Sequence, residues 1–269
     1  MSVLRLRLYA CLACLVACQG VASAAPLTYA VTNVGTFGSL DLGTGAFTQI
    51  GGTHDGAYAG LGNLADGTLV AVDGLNNFVR IDRTTGAVTT VGPTGINVNV
   101  SASLLTGEQF AIDNVNRLYR INPDTGAATL VGPTGLPGIS LSDFATALAG
   151  DTTTLYYIFE QGGPPPVAST LYRLDLTTGL ATAVGPTGTT HLEGGGFADG
   201  TFYAYSGFNV THRIFTIDRA TGAATAGPNY SQGFRVFGSN QGVAVPEPSA
   251  FTLFTLGLLG YGWRRRRTA

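Results

Sequence analysis

One five-residue pattern, Asp/Asn-x-x-Thr-Gly, occurs five times along the chain, and a repeat of this kind limits the fold more than any other feature. The copies are Asp41-Leu42-Gly43-Thr44-Gly45, Asp82-Arg83-Thr84-Thr85-Gly86, Asn122-Pro123-Asp124-Thr125-Gly126, Asp175-Leu176-Thr177-Thr178-Gly179 and Asp218-Arg219-Ala220-Thr221-Gly222. Their glycines are 41, 40, 53 and 43 residues apart, and each is followed five or six positions later by Gly51, Gly92, Gly132, Gly185 or Gly227. Gly92, Gly132 and Gly185 each open the sequence Gly-Pro-Thr-Gly. A fixed period of this length means one supersecondary unit repeated, each copy burying its apolar faces against its neighbours.

The second unit reads as four short strands: Tyr58 to Leu64, Thr68 to Val72, Phe78 to Asp82 and Ala87 to Val91, with turns at Asp66-Gly67, at Gly74 to Asn77 and at the Thr-Gly pair. The aspartates of the pattern suit a structural task, accepting backbone N–H groups at the start of a tight turn, and the glycines suit its positive φ. The longest unit carries an extra loop, Gln161 to Ser169. Four-stranded units of this size predict an all-β chain folded as a five-bladed β-propeller, with a β-solenoid as the alternative. The first unit, from Leu27, has only three strands, whereas a spare segment, Phe234 to Val245, follows the fifth. That segment is expected to supply the innermost strand of blade one and close the ring, removing the exposed sheet edges.

Composition agrees with turn-rich β structure: of 269 residues, 39 are glycine, 45% are apolar and only 11% are charged. Lysine is absent. Residues 26–245 hold eight arginines and fifteen acids, a net charge of −7, which opposes binding to nucleic acid.

The two ends read as addresses. Arg5 and Arg7, an apolar run from Leu8 to Ala17 and the small residues Ala22-Ser23-Ala24-Ala25 make residues 1–25 a secretory signal peptide, cut by signal peptidase after Ala24 or one residue later. The alternative is a lipoprotein signal, because Leu15-Val16-Ala17-Cys18 resembles a lipobox. Cys11, Cys14 and Cys18 all lie in this leader, so the exported chain has no thiol and no disulfide. At the other end Val245-Pro246-Glu247-Pro248 precedes an apolar stretch, Ala250 to Trp263, and then Arg264, Arg265, Arg266 and Arg267. The arginines stop transfer on the cytoplasmic side, and Tyr261 and Trp263 suit the membrane interface. Fourteen apolar residues give roughly 21 Å of helix, short of a ~30 Å hydrocarbon core, which fits a transient anchor better than a permanent one.

Residues 246–269 resemble the PEP-CTERM sorting signal: a Pro-Glu-Pro motif, one hydrophobic transmembrane helix and an arginine tail, in that order. The resemblance implies an exported protein of a Gram-negative bacterium, cut near the motif by exosortase and left at the cell surface or in the extracellular matrix. An ordinary C-terminal membrane anchor is the competing reading. The repeats of residues 26–245 resemble the quinoprotein-like and YVTN-like propellers. They are not WD40 repeats, because the only tryptophan is Trp263. The residues four places after the repeat glycines are Gln49, Thr90, Leu130, Ala183 and Ala226, where a quinone-docking tryptophan belongs, so no quinone and no other cofactor is expected.

Catalytic material is sparse. Without lysine or cysteine in the exported chain, Schiff-base, thiol and P-loop chemistry are excluded, and no Gly-x-Ser-x-Gly elbow or His-Glu-x-x-His helix occurs. On the strand assignment, the loops entering the innermost strands share one face with those joining second to third strands. That face collects His54, Asp55, Asp143, His191 and Glu193 from the first set and Asp73, Asp113 and Glu160 from the second, with nothing repeating from unit to unit at these positions. His54, Asp55, His191 and Glu193 are the candidate metal ligands, and Asp55, Asp143 and Glu193 the candidate acid/base groups of a polysaccharide hydrolase or lyase. The competing reading is solvated turn residues. Of the aromatics Tyr156, Tyr157, Phe159, Phe202, Tyr203, Tyr205 and Phe208, most are expected in the core, with Tyr205 and Phe208 able to stack on sugar rings. His212 is expected at the surface. The expectation is a non-enzymatic surface or matrix protein engaging exopolysaccharide in a biofilm, with a ligand-free structural spacer as a further reading.

Overall fold

A computed structural model of the chain describes residues 26–54, 56–138, 146–161, 167–207, 211–230 and 236–239. They form only strands and turns. In chain order the strands are β1 (Leu27–Thr32), β2 (Phe37–Asp41), β3 (Phe47–Gln49), β4 (Tyr58–Asn63), β5 (Leu69–Asp73), β6 (Asn77–Ile81), β7 (Val88–Pro93), β8 (Val98–Ser103), β9 (Gln109–Asp113) and β10 (Arg117–Ile121). They continue as β11 (Ala128–Pro133), β12 (Thr146–Gly150), β13 (Leu155–Phe159), β14 (Thr170–Leu174), β15 (Ala181–Pro186), β16 (Leu192–Ala198), β17 (Thr201–Ser206), β18 (Arg213–Ile217), β19 (Ala224–Asn229) and β20 (Val236–Ser239). The signal peptide and the sorting segment lie outside the described residues.

The strands make five antiparallel four-stranded sheets, four of them consecutive meanders and the first ordered β20-β1-β2-β3. The expected closure is present: Ala30 pairs with Ser239, Val31 with Gly238 and Thr32 with Val236. The innermost strands β20, β4, β8, β12 and β16 adjoin one another in sequence and back to β20, which excludes a linear solenoid. Each of the five junctions between neighbouring blades holds one apolar cluster; Tyr157, Phe110 and Leu118 anchor that between blades three and four, and Tyr205, Leu40 and Ile214 that between blades five and one.

The repeated residues build the turns and the junctions. Asp82 Oδ1 accepts the N–H groups of Thr84 and Thr85, both at 2.8 Å, and Gly86 donates to the Asp82 carbonyl at 2.7 Å. Asp41, Asp175 and Asp218 cap their turns in the same way, and so does Asn122, whose amide oxygen receives Asp124 N–H at 2.9 Å and Thr125 N–H at 3.2 Å. The turn glycines also let the next blade approach. Gly126 has φ +79°, and a methyl there would lie 2.4 Å from the Gly92 carbonyl oxygen of the preceding blade. Gly179 meets Gly132 and Gly222 meets Gly185 in the same fashion, so at these three junctions the turn glycine of one unit touches the second glycine of the unit before it, while Gly45 and Gly86 meet the Asn229 and Ile50 carbonyls. The threonine of Gly-Pro-Thr-Gly completes it: Thr134 Oγ1 donates to the Asn116 carbonyl at 2.9 Å, while its own carbonyl accepts Ala181 N–H at 2.9 Å from the next blade.

Candidate functional site

Because every blade is a meander, its turns alternate between two faces of the disc. The first-to-second and third-to-fourth strand turns lie on one face. The second-to-third turns and the loops between blades lie on the other, which is the candidate ligand face.

In four of the five blades the residue ending the second strand has a repeated role that its varied identity hid. Asp73 Oδ1 accepts N–H from Leu75 at 2.9 Å and Asn77 at 2.8 Å. Asp113 Oδ1 receives Val115 N–H at 3.1 Å and Arg117 N–H at 2.9 Å, and Asp113 Oδ2 takes the Arg117 side chain and Tyr119 Oη. Thr32 Oγ1 accepts Thr36 N–H at 3.1 Å and Ser206 Oγ accepts Arg213 N–H at 3.1 Å. In blade four the second strand ends on the apolar Phe159, still paired with Thr170, and Glu160 one place on accepts Ser169 Oγ at 3.0 Å and His191 N–H at 2.5 Å. The expectation that nothing repeats here is corrected: a turn acceptor repeats, supplied by acid, hydroxyl or longer acid according to loop length.

These acids are enclosed. Asp73, Asp113, Glu160 and Glu193 are at most 5% exposed. Asp73 also helps, after burial itself, to push the Tyr58 hydroxyl up to about 12. Asp113 holds the Arg117 guanidinium above its ordinary value through their hydrogen bond. Glu193 was expected in a loop but lies within β16, as the extra residue of a bulge between Leu192 and Gly194, the position that Ala59 and Asn99 hold in blades two and three.

Of the candidate metal ligands, His191 Nδ1 lies 3.4 Å from Glu160 Oε1, a residue outside the expected set. His54 instead stacks on Tyr58 with ring centroids 5.6 Å apart. Among the described residues no group of three or more His, Asp or Glu side chains is arranged to hold a metal ion. Asp55, Asp143 and Phe208 lie outside the described residues, and the first two are members of the expected acid/base trio. Tyr205 is fully buried beside Ala30 and Ile214, which corrects its expected role as a sugar platform. His212 is half-buried, with Nε2 3.0 Å from the Gly207 carbonyl and its ring stacked on Tyr230.

Two grooves on this face are bordered by an arginine. One, of about 470 Å³, runs between blades two and three and is lined by Leu75, Asn76, Ile96, Asn97, Val115 and Arg117. The other, of about 250 Å³, is lined by Thr189, Thr190, Ser206, Thr211, Arg213 and Phe215 between blades four and five. Every described acid that reaches solvent sits in a turn of the opposite face, as Asp66, Asp82 and Asp218 do, and Arg83 and Arg219 share those turns, while Arg117 and Arg213 border the grooves.

Residues 244–267 match the family model for the PEP-CTERM protein-sorting motif. That motif implies an exported protein of a Gram-negative bacterium, processed by exosortase. No curated protein matches the chain. Among solved structures, a chain of a nidogen/laminin complex aligns at 13% identity with a TM-score of 0.52, over 80% of this chain and 97% of that one. A TolB structure from Agrobacterium tumefaciens aligns at 15% identity with a TM-score of 0.44, over 75% of this chain and 69% of that one. TolB from Acinetobacter baumannii aligns at 14% identity with a TM-score of 0.49, over 78% of this chain and 54% of that one. Likeness at such identities speaks to the propeller fold alone.

Proposed function

We propose that this exported propeller is a non-enzymatic binding protein of the cell surface or extracellular matrix, engaging exopolysaccharide or another biofilm component through the face that carries the two grooves. The observation that carries this reading is the use made of the acids on that face. Asp73, Asp113 and Glu160 are buried turn acceptors, and Glu193 is enclosed at a strand bulge, so these carboxyl groups support the architecture rather than a reaction. A glycoside hydrolase needs two accessible carboxyl groups flanking one bond, and the burial of Glu193 counts against the trio with Asp55 and Asp143. The sorting signal supports the address: an anchor too short for a stable span suits a protein that is cut and released outward.

The test has two arms. Matrix material should retain the wild-type protein and not a chain lacking residues 26–245, and mass spectrometry of the extracellular form should find no Arg264 to Arg267. No affinity for envelope or matrix material contradicts the binding role, and an intact arginine tail on all extracellular protein contradicts processing.

A further inference from the structure

Arg117 and Arg213 occupy the same place in two blades, the first residue of the third strand on the grooved face. Each donates its backbone N–H to the residue ending the second strand, to Asp113 Oδ1 at 2.9 Å in blade three and to Ser206 Oγ at 3.1 Å in blade five. In blade three the acid also takes the guanidinium, with Arg117 Nε at 2.8 Å and a second nitrogen at 2.7 Å from Asp113 Oδ2. Serine does not neutralise a cation. Arg213 Nε therefore turns to the Asn229 side-chain oxygen at 2.9 Å, and Arg213 has no carboxylate partner among the described residues. The fold thus contains its own control: one arginine position, with its charge cancelled in one blade and left standing in another.

The uncancelled arginine borders the groove of about 250 Å³, in which Thr189, Thr190 and Thr211 supply hydroxyls and Phe215 an aromatic surface. Glu160 and Glu193, the described acids of the neighbouring loop and strand, are each only 2% exposed. A guanidinium keeps a planar set of donors for an oxyanion, and hydroxyls both donate to and accept from the hydroxyls of a sugar. An acidic peptide would use a free strand edge or a row of apolar pockets, which a hydroxyl-lined groove does not offer. We propose that the Arg213 groove binds the carboxylate or sulfate group of an acidic polysaccharide, the threonine hydroxyls holding the adjoining sugar. This rests on the matrix-binding reading above and names the ligand class for it.

The purified exported protein is titrated with polygalacturonate, with dextran sulfate, with neutral dextran and with poly-glutamate, alongside Arg213→Gln, Ser206→Asp and Arg83→Gln variants whose folding is checked by thermal unfolding. The expected result is binding to the two acidic glycans that weakens with salt, and a loss of about tenfold or more in affinity in Arg213→Gln. Ser206→Asp, which supplies the blade-three acid, lowers affinity as well, while Arg83→Gln, in a turn of the opposite face, stays within about twofold. Wild-type affinity in a folded Arg213→Gln protein overturns the site, and so does equal binding to neutral dextran. Equal binding to poly-glutamate overturns the assignment to a glycan. Matrix retention that survives Arg213→Gln leaves the broader binding role standing without this site, whereas Arg213-dependent glycan binding with no matrix retention does the reverse.

Discussion

Val31 lies opposite Gly238 in an antiparallel ladder, so an early strand of the described chain hydrogen-bonds to its last. Without that partner β1 would present a free edge, although Tyr29, Ala30, Val31 and Thr32 are all at most 4% exposed in the closed ring. A chain ending at Tyr230 is therefore expected to lose its cooperative unfolding transition and to associate through β1, read by calorimetry and size-exclusion chromatography. A monomeric, cooperatively unfolding product contradicts the role assigned to β20.

Glycine at the turns has two separable reasons, and two substitutions divide them. Gly188 has φ +76° with nothing within 4 Å of an added methyl, so Gly188→Ala should cost about 1 kcal/mol from the left-handed backbone alone. At Gly126 the same backbone strain is joined by the 2.4 Å approach to the Gly92 carbonyl, and Gly126→Ala should cost about 3 kcal/mol. Urea denaturation of the two variants reads the difference, and equal costs would mean that the junction adjusts freely.

Acid should destabilise the ring through its turns. Asp82, Asp175 and Asp218 are held below the ordinary aspartate range, chiefly by the backbone N–H groups of Thr85, Thr178 and Ala220. A carboxyl group whose folded value is depressed contributes fully above its unfolded value, about 3.9, and the contribution is lost as pH falls through the folded value. The urea midpoint should therefore fall as pH drops below about 3.9 and on through the depressed folded values. Replacing all three with asparagine should flatten the fall, since Asn122 already caps the equivalent turn with an uncharged oxygen. An unchanged pH profile in that triple variant contradicts the assignment.

Thr134 tests the blade junction from its side chain. Its hydroxyl is 1% exposed and bonded to the Asn116 carbonyl, so Thr134→Val keeps the shape, removes the donor and should cost about 1–2 kcal/mol. A change below about 0.3 kcal/mol, within the scatter of independent sites, would mean that another group takes the donor's place.

Much of this architecture was legible because it repeats. The Asp-to-Gly turns, the blade count and the role of the segment after Tyr230 follow from period and strand number, and the ladders agree with the expected strands of the second unit to within two residues. The grooved face was harder to read. Its recurring acceptor is written as Thr32, Asp73, Asp113, Glu160 and Ser206, a shared task that one-letter similarity does not reveal. Glu193 stands one place into a strand, and only the β16 bulge fixes its orientation. The usable signal was the arginine at the head of the third strand, seen in units three and five, with Asp113 before one and Ser206 before the other. Its meaning depends on which neighbours the loop brings back, and this is long-range information.

The closed ring is tested most directly by a cross-link, because the exported region contains no cysteine of its own. Ala30 and Ser239 face each other across the β1–β20 ladder, a spacing that a disulfide bridges. In an Ala30→Cys, Ser239→Cys protein exported to an oxidising compartment, peptide mapping should recover residues 30 and 239 joined within one chain. Two free thiols, or links only between chains, would show that the last strand does not lie beside the first.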